Sequence, residues 1–388
     1  MREVAVIGAG MSRFGDRMDK GAAELLLEAF DEAVRSVDKG MEIKDIQMAF
    51  FGNQGVGGSQ LALLAAQMVE AIGLCGIPAF RVENACSSSS FAFINAVQAV
   101  ASGVCDVALA GGVEKMREIS GKQVRQWMGV AGDNEWERQV GITFPGAYAL
   151  AAQRHMLDFG TSREQLSMVA VKNHECGFYN PKAQLRMKIT LEKALKSPIV
   201  AYPLNIFDCC PTSDGASAVI ICAKEIASKY TDKAVTVLGY GAASDTISIT
   251  NRKTITALKA TIRAAQMAYR MAGIGPQEIS FAEVHDCFTI AEIMAYEDLG
   301  FCPKGEGGKY VEAGHSRLGG MRPVNASGGL KSKGHPLGAT GTAQIVEVFK
   351  QIRGEAEPER QVENNKVGLT HNAGGFGGTA TVCIFGMR

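Results

Sequence analysis

Val4-Ala5-Val6-Ile7-Gly8-Ala9-Gly10, near the start of the chain, returns as Val235-Thr236-Val237-Leu238-Gly239-Tyr240-Gly241 in its second half. Other stretches repeat in the same order. The first copy is followed by Ala22 to Val37, with a helical period at Leu26, Phe30, Ala33, Val34 and Val37. The second is followed by Thr254 to Ala272, with Leu258, Ile262, Ala265, Tyr269 and Ala272. Asp45 to Phe51 is matched by Glu278 to Val284, and Asp214 to Ile221 by Phe376 to Cys383. Elements matching in one order mean an internal duplication, which outweighs any single local reading.

Within each copy strands alternate with helices, implying an α/β fold of helices layered on a mainly parallel sheet. In the first half, strands read at 3–9, Ile46–Phe51 and Val104–Ala110, and helices at 22–37, Ser59–Ile72 and the apolar run from Phe91 to Val100. From about Arg117 to Asp208 the rhythm breaks; this stretch holds Trp127 and Trp136, both tryptophans of the chain, and a polar run from His174 to Lys188. It reads as an inserted loop domain with helices at Tyr148–Phe159 and Arg163–Cys176. The chain then divides into residues 1–116 with 209–232, an insertion at 117–208, and residues 233–388. Two halves facing each other make a seam, and sites form at seams.

The 388 residues are too many for one ordinary core, in keeping with a duplicated unit. With 40 basic against 40 acidic residues there is no cationic excess to neutralise phosphates, so neither nucleic acid nor an acidic membrane surface is an expected partner. The run from Met1 to Ile7 lacks the regions of a signal peptide, and Phe385-Gly386-Met387-Arg388 carries no retention or peroxisomal address, so the expected location is the cytoplasm. Ten cysteines without regular spacing point to free thiols. His155, His174, Cys176 and Cys209-Cys210 form no recognisable ligand spacing, so no metal is expected. Gly8-Ala9-Gly10-Met11-Ser12-Arg13 invites a dinucleotide reading, but Arg13 stands where the third glycine must allow close helix-to-strand packing, and that reading is set aside.

Chemistry enters at Asn84-Ala85-Cys86-Ser87-Ser88-Ser89-Ser90, which runs into the apolar segment Phe91-Ala92-Phe93-Ile94. Serines whose side chains cap helix ends place Cys86 at or just before a helix N-terminus. There the unpaired amides and helix dipole favour a thiolate, the nucleophilic form. The corresponding corner of the second half is Gly334-His335-Pro336-Leu337-Gly338-Ala339-Thr340-Gly341, before a helix through Ile345, Val346, Val348 and Phe349. A thiol from one copy and an imidazole from the other thus face a shared seam.

On these motifs the chain resembles the thiolase family over its full length. Asn84-Ala85-Cys86-Ser87-Ser88 is similar to the family's nucleophile motif, and Asn325-Ala326-Ser327-Gly328-Gly329 through Gly341 matches its N-x-S-G-G-x-x-x-x-G-H-P-x-G-A-T-G block. The resemblance implies a duplicated fold of two pseudo-symmetric halves, with layered helices and mixed sheets, plus the inserted loop domain. It also implies that Cys86 takes the acyl group while His335 acts as base and helps hold the thioester oxygen. Many thiolases carry a second cysteine in a C-terminal C-x-G-G-G motif; Thr370-His371-Asn372-Ala373-Gly374-Gly375 has none. Instead His285-Asp286-Cys287-Phe288 stands where the family often has N-E-A-F, as in the branch that resembles sterol-carrier-protein and archaeal-type thiolases. In that branch Cys287 is the acid/base thiol, His285 joins His335 around the thioester oxygen, and the amides of Cys86 and Gly374 form a second oxyanion hole. His371 either lines the site or caps its strand, and stays outside the catalytic set.

The function implied is reversible CoA-dependent cleavage or Claisen condensation of a β-oxoacyl-CoA through a Cys86 acyl-enzyme, with acetoacetyl-CoA and acetyl-CoA as leading substrates. CoA is a substrate and no cofactor is required. A homo-oligomer is implied. The alternatives are a degradative thiolase for a bulkier aromatic or branched acyl group working with a separate zinc-ribbon and OB-fold partner, and a non-catalytic scaffold. Condensing synthases share the fold but pair their cysteine with His-Asn or Glu-His, whereas Cys287 beside His285 points to thiolysis.

Overall fold

The computed structural model describes residues 2–387. Met1 and Arg388, the outer ends of the runs read for leader and address signals, lie outside it. In chain order the first half supplies β1 (Val4–Met11), α1 (Ala22–Arg35), β2 (Met48–Gly52), α2 (Leu64–Ala71), β3 (Ala79–Val82), α3 (Ser88–Ala101) and β4 (Val107–Glu114). The middle supplies α4 (Gly121–Gly129), α5 (Phe144–Phe159), α6 (Arg163–Tyr179), α7 (Leu191–Leu195), and the ribbon β5 (Ile199–Ala201) and β6 (Leu204–Asn205). The first half closes with β7 (Gly215–Ala223). The second half supplies β8 (Val235–Ser244), α8 (Lys259–Ala272), β9 (Phe281–Glu283), α9 (Thr289–Asp298), α10 (Gly307–Glu312), α11 (Gly329–Ser332), α12 (Thr340–Arg353), β10 (Val367–Gly374) and β11 (Thr379–Gly386).

The strands lie in the order β3-β2-β4-β7-β1-β8-β11-β10-β9. Outward from the centre, β1, β7, β4, β2 on one side mirror β8, β11, β10, β9 on the other, so the sequence repeat is a spatial one. The halves join where β1 meets β8, antiparallel, at Ala5 opposite Thr236 and Val6 opposite Val235. The expectation of a mainly parallel sheet is corrected. Only β2 with β3, β2 with β4, and β10 with β9 run parallel, while β4–β7, β1–β7, β8–β11 and β10–β11 are antiparallel. The signal misleads because β7 and β11 are covered on both faces, which produces the continuous apolar runs typical of parallel strands.

Side-chain alternation sorts each strand into layers. Ala5 and Ile7 pack with Leu25, Leu26, Ala29 and Ala33 of α1 on the outer face of the first half. Val4 and Val6 face a central layer in which α3 packs with α12, roofed on the far side by Cys383 and Phe385 of β11. Val382 and Ile384 face outward again, onto Ala264, Ala265 and Ala268 of α8. Five layers result: helix, sheet, helix pair, sheet, helix.

The repeated Gly-x-Gly has its explanation in this layering. A Cβ at Gly8 would stand 2.5 Å from the Ala33 carbonyl oxygen, and one at Gly239 2.5 Å from that of Ala268. Each pair of glycines lets a strand lie directly on its own outer helix, which is packing, not nucleotide binding. At the seam a Cβ on Gly112 would run into the Gly338 carbonyl, just past His335. Backbone cannot yield as a side-chain end does, so Gly112→Ala is expected to cost about 3 kcal/mol or more. Urea denaturation measures this, and wild-type stability would show that the halves do not depend on that contact.

Some helix starts are later than their periodicity predicts. α2 begins at Leu64, not Ser59, because Leu63 takes a left-handed φ of 51° that no helix interior accommodates. α8 begins at Lys259, because the Leu258 amide is claimed by Asp298 Oδ2 at 2.7 Å. Between Glu114 and Gly215 no described strand enters the large sheet; α5 and α6 pack instead against the second half. His155 Nε2 on α5 lies 3.0 Å from Glu297 Oε1 on α9, a buried tie between insertion and second half. No helix among the described residues is long and apolar enough to cross a membrane.

Candidate active site

Cys86 sits in the tight turn Ala85–Ser87 that links β3 to α3, with Ala85 at a φ of 50°. The serines do not cap α3. Ser87 Oγ donates to the Asn84 carbonyl at 2.8 Å and Ser90 Oγ to that of Ser87 at 2.7 Å, while Ser88 Oγ donates to the Ala85 carbonyl at 2.6 Å and accepts from the Asn84 amide at 2.9 Å. Their bonds run backward and lock the turn that holds the thiol. The expected resting thiolate is also corrected: burial pushes the Cys86 thiol up to about 12, beyond what its own amide and that of Gly375 pull back, and Glu114 pushes the same way. Desolvation outweighs the helix end. A thiol in this state needs a base.

His335 reaches it from the loop before α12. Thr340 Oγ1 donates its one proton to the Pro336 carbonyl at 2.9 Å, so its 2.7 Å contact with His335 Nδ1 requires Nδ1 to carry the hydrogen. His335 Nε2 is therefore a bare lone pair, and it is buried without a partner. His285 comes off the end of β9. The two imidazole centroids lie 5.1 Å apart at 80°, and Cys86 Sγ with ring nitrogens of both histidines all fall within 4.8 Å of one another. Burial lowers His285 to about 4 and takes His335 well below the ordinary imidazole range, with His285 as the second cause. Both rest neutral. Although the sequence carries no metal spacing, folding brings a thiol and two imidazoles from distant segments within reach of a soft divalent cation.

Cys287, between β9 and α9, is buried beside them. Burial first, then the neighbouring Cys210 and Cys86 thiols, push its thiol up, and the Tyr148 hydroxyl works against the shift. Cys210 donates its amide to the Cys287 carbonyl at 2.9 Å, so the Cys209-Cys210 pair packs behind the site. All ten cysteines are free. The other members of the H-D-C-F stretch fix geometry. Asp286 accepts from the amides of Leu330 at 2.7 Å and Lys331 at 3.2 Å and from Asn173 Nδ2 at 2.7 Å, tying the stretch to α11. Glu283 takes the Ser327 amide at 3.0 Å, and Asn325 Oδ1 the Val284 amide at 2.8 Å. These clamps set His285 against His335. On the other side, Glu114 gathers the amides of Gln54, Gly55, Val56 and Gly338, each at 2.9 Å.

The four side chains Cys86, His285, Cys287 and His335 are thus brought together. Gly375, next to the Gly374 expected at the oxyanion hole, directs its amide at the Cys86 sulfur. Gly374 is pressed against the Cys86 turn, since a Cβ there would stand 2.5 Å from the Asn84 carbonyl oxygen. His371 lies behind the site: its Nδ1 accepts from the His285 amide at 3.5 Å, so Nε2 donates to Thr261 Oγ1 at 2.9 Å. Asn372 escaped the sequence reading. It is buried beside His285, toward which its amide is directed, and neither it nor the His285 ring makes a well-formed hydrogen bond to any other group. Buried polar atoms left open around one sulfur are a hallmark of a site awaiting ligand. Only burial reveals Asn372.

A buried thiol, two neutral imidazoles and a second thiol meet at the seam of a duplicated α/β chain, a set suited to acyl transfer. Comparison with known proteins agrees. Residues 4–225 match the family described as "Thiolase, N-terminal domain" and residues 241–387 the one described as "Thiolase C-terminal domain-like". The chain is 47% identical to the acetyl-CoA acetyltransferase of Methanothermobacter thermautotrophicus, covering 99% of this chain and 100% of that protein. It is 35% identical to sterol carrier protein 2 of Rattus norvegicus, over 99% of this chain and 72% of that one. A solved structure described as "Ltp2-ChsH2(DUF35) aldolase" superposes with a TM-score of 0.85 at 23% identity, covering 99% and 97% of the two chains. The chain belongs to the thiolase family. It is an acyltransferase whose chemistry is the CoA-dependent making and breaking of a β-oxoacyl-CoA carbon–carbon bond.

Proposed function

We propose that the substrates are acetoacetyl-CoA and CoA on one side and two molecules of acetyl-CoA on the other. The observation that carries this is the Cys86, His285 and His335 triangle within 4.8 Å, with Cys287 beside it. In thiolysis His335 Nε2 takes the Cys86 proton as sulfur attacks C3 of acetoacetyl-CoA. The C2–C3 bond breaks, and its electrons stay on C2 as the enolate of acetyl-CoA, which takes the Cys287 proton. Cys86 keeps an acetyl thioester. The proton on His335 passes to the Cys287 thiolate. CoA then gives its own thiol proton to His335 and attacks that thioester, releasing the second acetyl-CoA. The departing Cys86 sulfur takes that proton back from His335. His285 and His335 hold one thioester oxygen; the amides of Cys86 and Gly374 hold the other. The similarity to an acetyl-CoA acetyltransferase supports the acetyl group over a bulkier one, and an occupied catalytic set argues against a scaffold.

The same reading assigns no resident cofactor, a homo-oligomer in the cytoplasm, and a division into halves 1–116 with 209–232 and 233–388 around the insertion 117–208. The two-component description of the superposed aldolase supports a separate small partner chain. Mass spectrometry after brief exposure to acetyl-CoA or acetoacetyl-CoA, with peptide mapping, tests the core of the proposal. One acetyl group on Cys86 is expected; no adduct from either thioester, or an adduct elsewhere, sinks it.

A pH dependence follows from the burial. Protonation of His335 would remove the base, yet its proton affinity is held down, so the acid limb is displaced below the usual imidazole value. The raised Cys86 pKa likewise removes the alkaline inflection of a free thiol. The rate constant for Cys86 acetylation by acetyl-CoA should stay level from about pH 6 to about pH 9, without inflections near ~6.5 or ~8.5. Stopped-quench kinetics measure it, and an inflection near ~6.5 would show an exposed imidazole in control.

A further inference from the structure

We propose that the ring of Tyr148 is the acyl-length gauge of this enzyme: it closes the space beside Cys86 and Cys287, admitting an acetyl group and turning away longer or aromatic ones. This rests on the acyl-enzyme reading above.

The insertion brings several large rings, and the structure separates them. Trp136 is 76% exposed. Trp127 packs with Met116 and Val124 on the first-half side of Cys86. Phe144 borders a narrow cavity of about 30 Å³ with Ile142, Ile249 and Phe376. Tyr148 of α5 stands at the reacting groups.

Its side chain is held at both ends. The hydroxyl donates to the Gly375 carbonyl at 3.2 Å and lies within hydrogen-bond reach of the Cys287 thiol. The ring stacks on Phe288 with centroids 4.6 Å apart and meets the edge of Phe376 at 4.7 Å. A ring so clamped, and only 1% exposed, cannot swing aside for a ligand.

On the acyl-enzyme reading, the acyl carbon on Cys86 turns its oxygen to the amides of Cys86 and Gly374, and in the preceding intermediate its C2 neighbour lies by Cys287. Its remaining substituent leaves from between these two, and Tyr148 bridges Gly375 to Cys287 there. A methyl group ends before the ring. An added chain meets its face, and the neighbouring cavity, bordered by Ala147 of the same helix and by Phe376, has room for no more than a few waters.

The test compares full-length wild type with Tyr148→Ala, Tyr148→Leu, Tyr148→Phe and, as a control on the opposite wall, Met116→Ala. The readouts are kcat/KM for thiolysis of acetoacetyl-CoA and 3-oxohexanoyl-CoA, with peptide-mapped acylation of Cys86. Both truncations should raise the ratio of long to short substrate by about 10- to 200-fold. Tyr148→Phe keeps the ring and should keep the wild-type ratio, as should Met116→Ala. Tyr148→Leu fills most of the site, so the result stands even if the alanine variant does not fold. An unchanged ratio in a truncated variant whose Cys86 still acetylates overturns the proposal, as does a shift that follows Met116 instead. Absence of Cys86 acylation in the wild type overturns the acyl-enzyme reading itself, a separate outcome.

Discussion

Cys86→Ala is expected to reduce turnover by about 10⁴- to 10⁶-fold, the range seen when a covalent nucleophile is removed from a site that otherwise stays intact. Nothing nearby substitutes for it. Cys287 is buried and Cys210 half-buried with its thiol pushed up by desolvation, and His335 offers its lone pair toward the Cys86 sulfur from a position fixed by Thr340. The variant should bind CoA as the wild type does and unfold at a similar temperature, because the Cys86 turn is held by the Ser87, Ser88 and Ser90 side chains and not by the thiol. Steady-state thiolysis and the acetyl-CoA burst measure the loss together. A burst surviving in Cys86→Ala would move the nucleophile to another thiol, and Cys210→Ala would then show which.

Cys287→Ala separates the half-reactions. Acetyl transfer from acetyl-CoA to Cys86 uses His335 and the oxyanion contacts but needs no proton at C2, so acetylation should persist and the acetyl-enzyme should accumulate. Carbon–carbon bond formation and cleavage need that proton, and should fall by about 10²- to 10⁴-fold, the usual worth of a positioned acid or base. The exchange of acetyl-CoA methyl protons with heavy water should fall by the same factor. If exchange continues at the wild-type rate, the proton is carried by another group, with His285 the nearest candidate. His285 rests neutral at about 4 and has both nitrogens open.

Much of this architecture is written locally. The doubled Gly-x-Gly is legible because it encodes strand-on-helix contact twice, and the two loop-to-helix corners are legible because the Cys86 and His335 stretches are contiguous. What escaped depends on the fold. The hydrogen bond from the Gly375 amide to the Cys86 sulfur is made by a residue in the left-handed region, at a φ of 60°, which no motif spacing announces. The Cys86 charge state turns on burial, which no local helix signal reveals. Asn372 matters through what surrounds it and in sequence merely follows a histidine, while Tyr148 is one of four rings, with Trp127, Trp136 and Phe144, that the insertion offers for setting pocket size, and only the fold selects among them. Thr340 lies inside the quoted glycine-rich block, yet its control of the His335 tautomer needs the Pro336 carbonyl in place.

The placement of the reacting groups on opposite halves also bears on how the chain is made. Cys86 leaves the ribosome early, whereas His285, Cys287, His335 and Gly375 follow much later, a gap of roughly half a minute at ordinary elongation rates. Throughout that interval the thiol lacks its base and its oxyanion amides. The nascent half is a scaffold with an ordinary cysteine, chemically quiet toward the thioesters around it, and reactivity arrives only when the last strands close over the turn.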